Sequence, residues 1–221
     1  MSELFVSYLG PCEENAHDMM LLDRNEYINC GIPIETIETL VDIDNEGQIK
    51  DRIAELKHCN DGYFGVYGKI QQDIETNDDV SDTLLVGYIE SNGWDNCNQE
   101  PLKRMFGAMA LQFGILKFEG KPYVINSLVV DNNNRQLQYQ TIDILVKHAI
   151  NKAESRVIYS ILNQGSLTED ILTNNYGFQE TEFRGKIAGV DKVVYKRPPM
   201  IEVKVPLMNF SPMQSQCSVE V

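Results

Sequence analysis

One stretch narrows what this chain can fold into more than any other: VVDNNNRQLQYQTIDILVKHA, Val129 to Ala149. It begins as the end of an apolar strand, ILKFEGKPYVINSLVVD with a turn around Gly120, and passes through the cluster Asn132 to Asn134. Ile142, Leu145, Val146 and Ala149 then recur at the spacing of one helix face, which predicts a helix from about Arg135 to Ala153. The segment SRVIYSIL that follows is short and almost continuously apolar, as a strand covered on both faces would be. Strand, helix, strand in this order is a crossover unit, so the chain reads as a mixed α/β protein built around one such unit.

The flanking segments fit around it. ELFVSYLG alternates well enough for a first strand, and the next stretch turns helical. Met19, Leu22, Tyr27 and Ile28 stand near helical spacing. Pro33 opens IPIETIETLVDI in a favoured first-turn position, and Ile49, Ile53 and Leu56 share a face, which together predict two or three short helices. From Asp61 the period drops to two. GYFGVYGKI and TLLVGYIES read as an antiparallel pair joined by the polar loop QQDIETNDDVSD. Residues 92–111, with the lone tryptophan Trp94, read as an insertion. LTEDILTNNYG is a helix capped at Ser166 or Thr168 and stopped at Gly177. FQETEFRGKIAG and DKVVYKR are two strands turning at Ala188 to Asp191, and the tail from Pro198 holds one more possible strand, IEVKVPL, before a polar end.

At 221 residues the expectation is a single domain. Its parts are a helical front over 1–60, central strands over 61–131, a crossover half over 132–197 and a C-terminal extension over 198–221. The five cysteines form no CxxC pair and no metal spacing, and His17, His58 and His148 stand alone, so no metal site is expected. The opening residues lack a basic stretch followed by a long apolar one, which points to a cytoplasmic protein without a membrane segment.

Charge is divided unevenly. Residues 1–100 carry 22 Asp and Glu against 5 Lys and Arg, and residues 101–221 carry 11 against 14. A net charge of −14 argues against nucleic acid as a partner. The acidic front is either a solvated surface or a region that faces cations.

The order of elements, with LVVDNNNRQLQYQTIDIL at its centre and NNYGF after the last helix, resembles the GNAT superfamily of acyl-CoA-dependent N-acyltransferases. In that family the fourth strand ends in Val and leads to Arg/Gln-x-x-Gly-x-Gly/Ala at a helix start. Here Val130 and Asp131 close the strand, Arg135 takes the Arg/Gln place, and Gln138 and Gln140 replace the two small residues. Gly177 and Phe178 match the family's Tyr-x-x-x-Gly-Phe ending, with Thr173 where the tyrosine would be. The likeness covers roughly residues 62–197. It implies a single GNAT-like α/β (α+β) domain, with a central mixed, mostly antiparallel sheet and helices on both faces.

The resemblance also implies acetyl-CoA as co-substrate. The pyrophosphate would meet backbone N–H groups at a helix start, which assigns Arg135, Gln136, Leu137, Gln138, Tyr139, Gln140 and Thr141 to it, with Ser166 nearby and Arg135 and Lys147 as charge partners. Pantetheine would lie along Leu128, Val129 and Val130, where the fourth and fifth strands splay. For the general base, Val124 stands where members often carry Glu, which leaves Glu119, Tyr123 or Glu90. For the acid, Thr173 or Tyr176 would serve. All of these also fit ordinary surface or packing positions.

Two functions follow from the resemblance. The first is transfer of an acetyl group to a primary amine of a cationic small molecule or a protein lysine by direct attack, with the acidic front gathering the amine. The second, favoured by the glutamines, Thr173 and the missing carboxylate, is a non-catalytic acyl-CoA sensor or protein-interaction module. A third reading, an acidic protein that binds a basic protein surface or mimics nucleic acid, rests on charge alone. A homodimer is compatible with any of them.

Overall fold

Strand β1 (Leu4–Tyr8) is followed by three helices, α1 (Glu13–Asn29), α2 (Ile34–Leu40) and α3 (Glu46–His58). Then come β2 (Tyr63–Lys69), β3 (Thr83–Gly93), β4 (Tyr123–Val130), α4 (Arg135–Ala153), β5 (Ile158–Asn163), α5 (Leu167–Tyr176), β6 (Gln179–Ile187) and β7 (Val190–Arg197). The computed structural model describes residues 4–58, 62–69, 83–94, 121–131, 133–187 and 189–199. The expected body of the insertion, the turn at Gly120, the candidate Glu119 and nearly all of the C-terminal extension lie outside the described residues.

The seven strands form one sheet in the order β1-β2-β3-β4-β5-β7-β6. Every neighbouring pair is antiparallel except β4 and β5, the two strands joined by the crossover helix α4. Helices cover both faces. Against α4 and α5 pack Ile89, Ile125, Val130, Leu162, Val193 and Phe178, together with Ile142, Leu145, Val146 and Ala149 of α4 itself. On the opposite face Ala16, Met19 and Leu22 of α1 and Leu56 of α3 pack on Tyr63, Leu85, Tyr88 and Val129. Alternate residues of one strand thus serve two cores, as a sheet buried on both sides requires.

Helix ends follow their capping residues. Asn134 precedes α4 in extended conformation, and its side-chain carbonyl accepts the N–H groups of Gln136 and Leu137, each at 3.0 Å. Ser166 caps α5 by accepting Glu169 N–H at 3.2 Å. Gly177 ends that helix at φ 69°, a left-handed conformation that costs glycine nothing, and turns Phe178 into the core. No helix among the described residues is long and apolar enough to cross a membrane.

Two expectations are refined. The front holds three helices, the first spanning 17 residues. Its buried face is Ala16, Met19, Met20 and Leu22, whereas Ile28 is exposed and Tyr27 lines a cavity, because the C-terminal part of α1 overhangs an opening in the sheet. The last hairpin is also tighter than the sequence suggests: β7 already begins at Val190, after Gly189 at φ 83°.

Candidate functional site

Strands β4 and β5 pair only where Tyr123, Val124 and Ile125 face Ile158, Tyr159 and Ser160, although β4 runs on to Val130 and β5 to Asn163. A bulge marks the point of separation. Across from β3, Glu90 faces Ser127 but Ser91 faces Ile125, so Asn126 is one extra residue in β4. Such a residue bends its strand and increases the local twist, and here the bend takes the second half of β4 away from β5.

The wedge between them is a cavity of about 70 Å³ lined by Asn126 to Val129 and Ile161 to Asn163, with Asp23, Glu26 and Tyr27 of α1, Ser166 and Thr168 at the start of α5 and Lys192 of β7 completing its wall. An adjoining cavity of about 410 Å³ shares Glu26, Leu128, Asn163, Ser166 and Thr168 with it and extends to Gln138 of α4 and to Gly165 and Leu167. Near α3, a third of about 300 Å³ is lined by Asp23, Tyr27, Asp51, Arg52 and Glu55 among others. Asp23 and Tyr27 belong to both the first and the third.

Glu90 is a buried carboxyl, 7 % exposed, just beyond this wall. Its Oε1 accepts a hydrogen bond at 3.2 Å from Asn126 Nδ2, a residue that itself lines the cleft. Burial pushes the Glu90 carboxyl up from 4.5 to about 7, and hydrogen bonding from Asn126 and Tyr63 and the charge of Arg52 only partly oppose it. A carboxyl with that pKa takes up and releases protons near neutral pH, which is what a general base must do.

The carboxylate of Asp23 contacts Arg52 Nη2 at 2.5 Å and accepts the Tyr88 hydroxyl. Burial raises the Asp23 carboxyl, with Arg52 and Tyr88 pulling it back. Burial also works against the Arg52 guanidinium, but Asp23 beside it prevails and raises its pKa. At the outer end of the wedge, Asn163 Nδ2 donates to Glu26 Oε1 at 2.5 Å, while its buried Oδ1 has no hydrogen-bond partner. That unpaired acceptor in the cleft wall suits a ligand bearing an amide N–H.

No protein-family model matches the sequence, and no curated protein matches it. The three-dimensional structure, however, resembles many solved ones. An acetyltransferase of the GNAT family from Streptococcus agalactiae superposes with a TM-score of 0.52 at 13% identity, over 90% of this chain and 96% of that one. The chain has the GNAT fold. Lower superpositions include yncA, a putative acetyltransferase from Salmonella typhimurium with its cofactor acetyl-CoA, at TM-score 0.49 and 13% identity over 92% and 97% of the two chains. Another is paia N-acetyltransferase from Thermoplasma acidophilum in complex with coenzyme A, at 0.48 and 11% over 88% and 99%.

Within this GNAT fold the candidate residues separate into groups. Leu128, Val129 and Val130 of β4, Gln138 and Ser166 line the wedge or its outer cavity. Arg135 stands across another pocket from Gly165, Ser166 and Thr173. Gln136 and Leu137 have their N–H groups taken by Asn134. Tyr139 is exposed, with its hydroxyl accepting from Asn175 at 2.6 Å, and Gln140 points to the surface. Thr141 lies wholly within the core, where Cγ2 would stand 2.6 Å from a Cβ added at Gly87, so it is a packing residue away from the loop. Lys147 is bound to Asp143 at 2.7 Å.

The candidate acids and bases separate as well. Tyr123 turns to the α4 face, where its hydroxyl meets Ser91 and its ring lies 4.9 Å from the Arg156 guanidinium. Thr173 Oγ1 donates back to the carbonyls of Glu169 and Asp170 in its own helix, and the Tyr176 hydroxyl donates to Asp143. Neither hydroxyl is turned to the wedge between β4 and β5. Of the three proposed bases, Glu90 alone is a described residue bonded to a cleft-lining side chain. Asn126, Asn163, Asp23, Glu26 and Lys192 carried no sequence signal beyond their polarity; only the β4 bulge and the overhang of α1 bring them together.

Proposed function

We propose that this protein transfers an acyl group, acetyl in the simplest case, from acyl-CoA to a primary amine of a cationic small molecule or a protein lysine by direct attack. The observation that carries the reading is the opened β4–β5 wedge with a buried carboxyl of pKa about 7 one side chain behind its wall. Pantetheine would lie between the separated strands, its amides meeting backbone of Leu128 to Val130 and the unpaired Asn163 Oδ1. Glu90 would take the amine's proton through a bridging water, since Asn126 stands between it and the cleft. Acidic Asp51 and Glu55 at the neighbouring cavity favour a cationic acceptor.

Calorimetry with acetyl-CoA tests the reading, together with thiol release in the presence of spermidine and of a lysine-containing peptide. Saturable binding with thiol release is expected. Absence of heat at high micromolar acetyl-CoA would end both the transferase and the sensor reading.

The capped start of α4 bears on how acetyl-CoA is held in either reading, transfer or acyl-CoA sensing without turnover. A pyrophosphate at this helix start competes with the Asn134 side chain for the N–H groups of Gln136 and Leu137. Asn134→Ala is therefore expected to lose about 1 kcal/mol of stability with the cap and to bind acetyl-CoA at least as tightly as the wild type. Binding that weakens in the variant would show that the Asn134 amide itself belongs to the phosphate site. Thiol release that stays at background under saturating acetyl-CoA selects the sensor.

A further inference from the structure

An acyl transfer has two proton problems, and Glu90 answers only the first. As the carbon–sulfur bond breaks, its electron pair goes to sulfur, and the thiolate needs a nearby cation or a proton. The two hydroxyls that helix position offers for this are engaged elsewhere: Thr173 Oγ1 on carbonyls of its own helix and the Tyr176 hydroxyl on Asp143. Lys192 meets the need from another element. It lies on β7 beside Asn163 of β5, so its side chain stands on the α1 face with Asn163, and it is the one cation among the described residues lining the wedge.

Its surroundings make that cation unusual. The Lys192 amine makes no hydrogen bond or ion pair among the described residues, although Glu26, Cys30 and Asp23 of α1 lie near enough to act on its charge. The remaining groups about the wedge are uncharged: Tyr27 of α1, Asn126 to Val129 of β4, Ile161 to Asn163 of β5, and Ser166 and Thr168 at the start of α5. Across the β6 pairing Lys192 faces Gly185, which brings no side chain. Burial lowers the amine below the usual lysine range, with Glu26, Cys30 and Asp23 opposing, so its proton is more readily given than that of a solvated lysine.

We propose that Lys192 is the acid of the acyl transfer: its ammonium holds the departing CoA sulfur and gives it a proton. The proposal rests on the acyl-CoA reading above. The step balances as follows. The acceptor ammonium gives one proton to Glu90, and its nitrogen forms the bond to the acyl carbon. The carbon–sulfur bond breaks and its electron pair is protonated by Lys192, giving the CoA thiol. The nitrogen's second proton leaves to solvent as the amide forms, Glu90 gives its proton to solvent, and Lys192 takes one back, so that both groups return to their starting forms. One proton is released overall.

Three forms of the full-length protein test this: wild type, Lys192→Met and Lys192→Arg. Coenzyme A is bound to each, and its thiol is titrated by the ultraviolet absorbance of the thiolate. The wild type and Lys192→Arg, both cationic at this position, are expected to ionise the bound thiol about one pH unit lower than Lys192→Met, a roughly tenfold shift. With acetyl-CoA and spermidine or the lysine peptide, Lys192→Met and Lys192→Arg are both expected to lose about 10²-fold in kcat, because a guanidinium does not give up its proton. Acetyl-CoA affinity within about threefold of wild type shows that each variant is folded. Equal thiol titration in wild type and Lys192→Met overturns the proposal, as does full turnover by Lys192→Arg. Failure of the wild type to bind acetyl-CoA overturns the acyl-CoA reading, and this assignment falls with it.

Discussion

Glu90→Gln is expected to lower acyl transfer by about 10²–10⁴-fold while making the folded protein more stable above neutral pH. Both effects come from one cause. The Glu90 carboxyl, buried between Asn126 and the α1 face of the sheet, ionises near pH 7 in the folded chain and near 4.5 when unfolded. Below 4.5 it is protonated in both states and burial carries no ionisation cost. Between 4.5 and 7 the unfolded chain releases a proton that the folded chain keeps, so stability falls as pH rises. Above 7 the full cost, on the order of 3 kcal/mol, is present. Glutamine keeps the shape and can still accept from Asn126, but it has no proton to lose or gain. Urea unfolding at pH 5 and pH 8 checks the expectation: the variant should gain on wild type as pH rises. A variant less stable than wild type at pH 8 would mean that Glu90 is held by stronger hydrogen bonds than the Asn126 contact accounts for. In the wild type, the same carboxyl should make kcat/KM fall as pH drops below about 7.

Asp23→Ala carries the largest expected loss of stability, about 3–5 kcal/mol. The Asp23 and Arg52 side chains are only 12% and 21% exposed, and their contact lies above the core formed by Leu22, Leu56 and Tyr88. Removing the carboxylate strands a guanidinium and the Tyr88 hydroxyl in a region that water reaches poorly. Glu55, 3.2 Å from Arg52 Nη1 and half exposed, replaces only part of the interaction. Exposed pairs such as Lys50–Glu46 and Lys186–Asp191 offer the contrast, since their removal should cost less than about 1 kcal/mol. Replacing both partners, Asp23→Leu with Arg52→Met, should recover most of the stability, because no buried charge is then unpaired. A single-variant loss below about 1 kcal/mol in urea unfolding would show that Arg52 finds full solvation without Asp23.

Which parts of the site were legible depended on how far apart its residues stand. Helix α4 was readable to its end residues because its signals, the apolar spacing of Ile142, Leu145, Val146 and Ala149 and the asparagine before it, lie within a few residues of each other. Glu90 was visible only as one of three candidates. Its choice over Tyr123 depends on which face of the sheet each side chain takes, and the bulges in β3 and β4 shift that alternation in ways periodicity does not reveal. Gln138 and Gln140 drew attention for lacking the small residues of the family pattern. The structure separates them: Gln138 lines the outer cavity and Gln140 faces solvent. Asn134, one residue before the helix, takes the N–H groups for which those small residues were expected to make room.

By itself, the sequence determined the kinds of element, most of their limits and the central crossover. These rest on backbone hydrogen bonding, capping and apolar period, all of which act over a few residues. Only the tertiary structure decided that β4 leaves β5 after Ile125, and that Asp23, Glu90, Asn126, Asn163 and Lys192 gather around the opening. The contacts that assemble this region, Asn126 to Glu90, Tyr88 to Asp23 and Asn163 to Glu26, span 36, 65 and 137 residues. A polar side chain at such a position resembles any surface residue in sequence, because its burial, and so its pKa and its role, is set by strands and helices that fold onto it from elsewhere in the chain.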